Sequence, residues 1–154
     1  MTVQFTVLGS PRTKKTSLRL VHIPKKGGGR GFTKILPSEA YEDWFNEALL
    51  QAAGIRREIA NAGVSLPIAG PVALAAVFYR KQASGDLLGF LQSLADWLQE
   101  PRQKNGRTTR NGAGIIKDDV QVVNWDGSRL KKDALQPRIE VALTILADGQ
   151  GDLF

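Results

Sequence analysis

The chain has 154 residues, 42% of them hydrophobic and 23% charged, and its 21 Lys and Arg against 15 Asp and Glu give a net charge of +6. That is a globular composition for one domain of ordinary size, and no apolar run nears the roughly 20 residues of a membrane span. With no cysteine and His22 as the one histidine, disulfides, thiolate zinc sites, cysteine catalysis and multi-histidine metal centres are excluded. Metal chemistry is left to carboxylates, which favour Mg2+ or Mn2+. No secretory signal is read in the first residues, so a cytoplasmic protein that does not enter a membrane is expected.

Residues 2–9 alternate, with Val3, Phe5 and Val7 on one side, and predict a strand that Pro11 ends. Residues 19–23 suggest a second short strand. It leads into a Gly-Gly-Gly-Arg-Gly loop over 24–31, which suits either a close approach to a phosphate backbone or a hairpin tip. Ser38 is the expected N-cap of a helix reaching residues 60–63, with Glu39, Glu42 and Asp43 in its first turns. Tyr41, Trp44, Phe45, Ala48, Leu49, Ala52 and Ile55 recur at helical spacing as its core face. Residues 71–80 read as a strand buried on both faces.

Asp86 is placed to cap a second helix, with Leu87, Leu88, Leu91, Leu94, Ala95 and Leu98 as its buried face and Pro101 as its stop. A polar loop over 102–114 follows. Residues 120–125 and 137–147 read as strands on either side of an Asp126-Gly127 turn and a basic stretch. A polar tail over 148–154 completes the chain. The expected fold is mixed α/β: a small mixed sheet with two main helices in one domain over 1–147.

The charge is unevenly placed. Residues 1–38 hold eight basic side chains and no acid, among them Arg12, Lys14, Lys15, Arg19, Lys25, Lys26 and Arg30. Residues 39–154 have a net charge of −2, yet within them 101–117 carry Arg102, Lys104, Arg107, Arg110 and Lys117, again with no acid. Two purely basic segments on a mildly acidic body point to an anionic polymer, most simply nucleic acid, with these twelve side chains as its contacts. A solvated basic surface that maintains solubility is the alternative.

Three acids sit where chemistry would need them. Asp86 lies where a strand hands over to a helix, and Asp118 and Asp119 lie where a long loop enters a strand. If the strands at 71–80 and 120–125 are neighbours, Asp86 and Asp119 share one rim, and carboxylates there would hold a metal that activates water against a phosphodiester. From spacing alone, an N-cap and a solvated turn describe these residues equally well.

The run Gly85-Asp86-Leu87-Leu88-Gly89-Phe90-Leu91-Gln92-Ser93-Leu94-Ala95-Asp96-Trp97-Leu98, followed by Gly114-Ile115-Ile116-Lys117-Asp118-Asp119-Val120-Gln121-Val122-Val123, resembles the RusA family of Holliday-junction resolvases. Its pattern is D-x-D-N-L-x-K-x-x-x-D-x-L and then D-D-x-Q-V-V. Residues 3–146 follow the family's order, with Asp118-Asp119-Val120-Gln121-Val122-Val123 the most specific part. The resemblance implies a dimeric, Mg2+-dependent endonuclease, bacterial or phage-encoded, that cuts four-way DNA junctions. Asp86, Asp119 and the neighbouring Asp118 would be its catalytic and metal-binding acids, with Mn2+ as a possible substitute metal.

Asp96, ten residues beyond Asp86 and about 15 Å along the helix, is read as structural, too far to share the metal of Asp86. Leu88, Gly89 and Gln92 stand where the family has Asp, Asn and Lys. Asp118 is the candidate for the missing acid, and Lys14, Lys15 or Lys117 for the missing lysine. These departures leave a catalytically weakened or inactive branched-DNA-binding protein as the alternative, and a basic RNA- or ribosome-associated domain as a third reading.

The final residues Gln150-Gly151-Asp152-Leu153-Phe154 resemble the pentapeptide by which bacterial DNA-processing proteins bind the replicative sliding clamp. Leu153 and Phe154 would be its apolar anchors and Gln150 its polar contact, on a flexible tail over 148–154.

Overall fold

A computed structural model describes residues 1–14 and 18–147, without the side chains of Leu18 and Arg19. The chain runs through β1 (Thr2–Leu8), β2 (Leu18–Ile23), β3 (Phe32–Pro37), α1 (Glu39–Asn61), β4 (Val72–Arg80), α2 (Leu87–Leu98), β5 (Arg102–Lys104) and β6 (Arg107–Arg110). A 3-10 turn (Asp119–Gln121), β7 (Val122–Asn124), β8 (Arg129–Lys132) and β9 (Arg138–Ile145) follow. This is the expected mixed α and β domain, with two helices and a mixed sheet.

The sheet is centred on β9 and β4, which run antiparallel from Val72 opposite Ile145 to Tyr79 opposite Arg138. On one side β1 pairs antiparallel with β9. On the other, β4 carries two short parallel partners in succession, β7 at Val72 and Ala73 and β8 at Val77 to Arg80. A turn at Asp126 and Gly127 separates them, and within it the Ser128 hydroxyl accepts the amide of Ala76 at 3.0 Å. That bond keeps the β4 edge satisfied where neither strand reaches it.

Alternation decides which face is covered. Val3, Phe5 and Val7 of β1, Val72, Leu74, Ala76 and Phe78 of β4, and Ile139, Val141 and Leu143 of β9 are all buried on one face. α1 and α2 cover that face, bringing Trp97 to 6.5 Å from Phe5 and Phe90 to 5.6 Å from Phe78 between ring centroids. α1 starts where its sequence says: the Ser38 hydroxyl accepts the Tyr41 amide at 3.2 Å, and Glu39 and Glu42 lie at the positive end of the helix. Ala73, Ala75, Val77 and Tyr79 on the other face of β4 are only half-buried. That strand is therefore covered fully on one side, not on both as its apolar run suggested.

Five short elements depart from the sequence expectation. β3 returns along β2 as a two-stranded ribbon, so the glycine-rich loop is a hairpin tip. β5 and β6 form a second hairpin inside the expected polar loop, turning on Asn105 and Gly106, both at positive φ. The 3-10 turn occupies residues expected to start a strand. β8 lies in the basic stretch after Gly127, whose Arg129, Lys131 and Lys132 are exposed on an edge where charge is tolerated.

Leu88 is also turned outward, 73% exposed. Gly89 and Phe90 take the inward positions instead, Gly89 against Thr13 and Phe90 against Phe78. Among the described residues, no helix is long and apolar enough to cross a membrane.

Candidate functional site

The acidic pair Asp118 and Asp119 sits on a turn that its own side chains hold. Asp118 accepts the Val120 amide at 3.3 Å, and the Gln121 side chain returns to the Asp118 amide at 2.8 Å, so the two residues close a reciprocal cap. The Gln121 amide nitrogen also donates to the carbonyls of Ile68 and Gly70, at 2.8 and 2.7 Å. One glutamine thus ties the acidic turn to the chain that enters β4. This gives a physical reason for a glutamine two residues after an Asp-Asp pair.

The two acids differ in environment. Asp118 receives Arg102 at 2.7 Å and Arg110 at 3.5 Å. A hydrogen bond from Asp119, the Val120 amide and these two guanidiniums hold its carboxyl below the usual range. Asp119 is pushed the other way by partial desolvation, by its hydrogen bond with Asp118 and by the Asp118 charge. Of the two, Asp119 is therefore the acid that releases its proton at the higher pH.

The charge of Asp119 also reaches an acid of α2. The Asp96 carboxyl is raised by burial and by the charge of Asp119, against the opposing pull of Lys14 and Arg110. Asp96 and Lys14 open onto a cleft of about 520 Å3, whose other walls include Tyr41, Phe45, Gln99 and Arg110. Burial and the Asp96 charge raise the Tyr41 hydroxyl so far that it remains a neutral donor at any physiological pH. Arg110 is the fixed point of the cleft: it donates to Gln99 at 2.7 Å, to the Glu100 carbonyl and to the Lys117 carbonyl.

β4 and β7 are neighbours, as expected, but their register parts Asp86 from Asp119. Asp119 stands just before Val122, which pairs with Val72 at the start of β4. Asp86 comes after Arg80 at the far end of that strand and begins α2. The C-terminal end of α2 is the part that returns to the acidic turn, through backbone bonds of Ile115 and Ile116 to Leu98. Hence Asp96, expected to be structural, is the α2 acid grouped with Asp119. Asp86 is exposed at the N-cap position without a capping hydrogen bond, its Oδ2 close over Gly89.

The donor set can be tested against a divalent cation on these grounds. Among the described residues, no group of three or more His, Asp or Glu is close enough to hold a metal. A protein cage built from Asp86, Asp118 and Asp119 therefore does not fit. Mg2+ is commonly held by one or two carboxylates, with waters and substrate phosphates completing the octahedron. For that more open arrangement the structure offers Asp119 and Asp96, since the Asp119 charge reaches Asp96.

The basic residues divide into three groups. Lys25, Lys26 and Arg30 are exposed at the tip of the β2–β3 ribbon, around Gly27, Gly28 and Gly29, all at positive φ and the first two with open space about them. Arg102, Lys104, Arg107 and Arg110 line the β5–β6 hairpin beside the acidic turn, with Lys117 exposed just before it. Arg12 lies near Arg80, and Lys14 faces Asp96. Lys15, the Arg19 side chain and the tail with Gln150, Leu153 and Phe154 lie outside the described residues. Sequence reasoning passed over Arg80 and Lys81, which end a strand that reads as core. The signal available was two adjacent cations closing an apolar run. No protein-family model matches this chain, and no curated protein matches it significantly.

Proposed function

We propose that this chain is a divalent-metal-dependent endonuclease that acts on branched DNA, with its chemistry at Asp119 and Asp96. The observation that carries this reading is the grouping of two carboxyls of raised pKa with Lys14, beside a hairpin of Arg102, Lys104, Arg107 and Arg110. Asp119 and Asp96 would hold the cation, which when bound supplies positive charge for the phosphoryl oxygens and an acidified water. Lys14 compensates charge on the Asp96 side of the cleft. Arg102 and Arg110 neutralise Asp118, which leaves Asp119 as the acid free to exchange its proton. The exposed cations of both hairpins attract the DNA backbone by charge, so binding falls steeply with salt.

A homodimer would present two such sites to symmetry-related strands of a four-way junction. The sliding clamp, engaged through Gln150, Leu153 and Phe154, and a cytoplasmic setting in a bacterium or phage-infected cell belong to the same proposal.

The test is a labelled four-way junction incubated with the full chain and Mg2+ or Mn2+. Metal-dependent cleavage is expected. Junction binding with no cleavage under either metal would instead favour a non-catalytic branched-DNA-binding protein. That second reading draws on the exposed Leu88 at the position of the family's second aspartate and on the distance of Asp86 from the acidic turn. Preference for RNA over every branched DNA tested would overturn both.

Metal binding has its own pH signature. Carboxyls whose pKa is raised in the folded state lose stability as pH climbs through that raised range, because the fold must ionise them against burial and each other. Mg2+ is expected to restore this stability, raising the melting temperature near pH ~8 and progressively less as acidification reprotonates Asp96 and Asp119. A Mg2+ effect independent of pH across that range would place the cation elsewhere.

A further inference from the structure

Beyond the C-terminal ends of β4 and β8 the chain opens a second cavity, of about 410 Å3, with Arg12, Arg80 and Lys81 among its walls. Ser10, Gln82 and Ser84 contribute further polar groups, and among the described residues no Asp or Glu lines it. Lys132 stands in register with Arg80 on the neighbouring strand, adding a fourth cation to this end of the sheet. The carboxylate of the nearby acid Asp133 is engaged by Arg138 at 2.8 Å and by the amides of Leu135 and Gln136.

Arg80 is built in. Its guanidinium carbon lies 4.6 Å from the centroid of the Phe90 ring, and it donates to the Ser84 carbonyl. Its Nε is buried without an acceptor, and no carboxylate pairs with it among the described residues. Burial and the Arg12 charge both disfavour its protonated form, yet a guanidinium does not give up its proton in a protein. The group is therefore an immobilised cation beside like charges. Such an arrangement is complementary to an anion.

We propose that the cavity bounded by Arg12, Arg80 and Lys81 binds a phosphate group. The guanidinium held on the aromatic ring offers phosphate oxygens the N–H groups that Ser84 and burial leave open, while Lys81 and Arg12 supply mobile charge from the rim. The phosphate is either a backbone phosphodiester of DNA or free inorganic phosphate. The first source rests on the nucleic-acid reading of the chain. In that case the site would grip a DNA arm on the Asp86 side of α2, away from the acidic turn, and so extend the footprint beyond the cleavage site.

The experiment uses the full chain and an Arg12→Gln, Lys81→Gln double variant, which leaves Arg80 on its ring. Inorganic phosphate, against chloride at matched ionic strength, is expected to raise the wild-type melting temperature by about 2 °C or more, and the variant's hardly at all. On a four-way junction, the slope of log affinity against log salt is expected to be shallower by about 1 in the variant, as for one lost phosphate contact.

A phosphate effect with an unchanged slope supports the site and assigns it to free phosphate. A changed slope without a phosphate effect assigns it to the DNA backbone. Neither effect, in a variant that melts like the wild type without phosphate, overturns the proposal. A phosphate effect in a protein that binds no DNA would overturn the functional reading and leave this site standing.

Discussion

Asp119→Asn is expected to lower metal-dependent cleavage of a four-way junction by a factor of about 1,000 or more while leaving junction binding within a few-fold of wild type. The size follows from asking one carboxylate to hold the cation that stabilises the transition-state charge. Loss of a comparable electrostatic element typically costs about 100- to 1,000-fold, and loss of the metal itself costs more. Binding is expected to be spared because the proposal takes its DNA contacts from the hairpins, not from Asp119, and removing a negative charge does not weaken them. Asparagine keeps the shape and the polar contact to Asp118, so folding is not the issue. The measurement is single-turnover cleavage at saturating protein, with gel-shift affinity on the same preparation. Cleavage by Asp119→Asn at the wild-type rate would remove the acidic turn from the chemistry.

The second large effect belongs to Gln121. Its side chain makes three hydrogen bonds, one from the Asp118 amide and two to the Ile68 and Gly70 carbonyls. Each such bond contributes about 0.5–1.5 kcal/mol net, and partly buried carbonyls left without a donor add to the loss. Gln121→Ala is therefore expected to destabilise the fold by about 2–3 kcal/mol, a shift of several degrees in melting temperature.

Because the same bonds aim the Asp118–Asp119 turn, the variant is also expected to need at least about tenfold more Mg2+ for half-maximal cleavage, as when an outer-shell partner of a metal ligand is removed. Gln121→Glu is a sharper control, since it keeps the shape and sets a carboxylate against two carbonyl oxygens. Equal metal requirement in all three proteins, at temperatures where each is folded, would make Gln121 a structural residue only.

Particular residues show how far the sequence could be read. The long elements were legible because their signals are local. The alternation of Val3, Phe5 and Val7, the Ser38 cap and the helical recurrence from Tyr41 to Ile55 each report one face or one end. The short strands were not legible. β8 reads Arg-Leu-Lys-Lys and is a strand only because the edge of β4 accepts it in parallel register. β5 and β6 are basic and exposed except at Arg110, held mainly by pairing across the Asn105–Gly106 turn.

The site divides in the same way. The Asp118–Asp119–Gln121 turn was visible as a motif, and its hydrogen bonds explain the motif. Which acid of α2 faces it was not visible, because that depends on the register of β7 against β4 and on which end of the helix returns. Asp86 stands at the conspicuous strand-to-helix junction, yet the helix runs back along the sheet and delivers Asp96. The cations Arg80 and Lys81 were hidden for a related reason: they close a strand whose apolar run dominates its reading.

The measurement that tests the central claim most directly is junction cleavage by Asp96→Asn and Asp86→Asn side by side, at matched Mg2+ and with junction affinity recorded for each. Chemistry centred on Asp119 and Asp96 predicts a loss of at least about 100-fold for Asp96→Asn and a far smaller loss for Asp86→Asn. Loss of cleavage in Asp86→Asn with full activity in Asp96→Asn would contradict it.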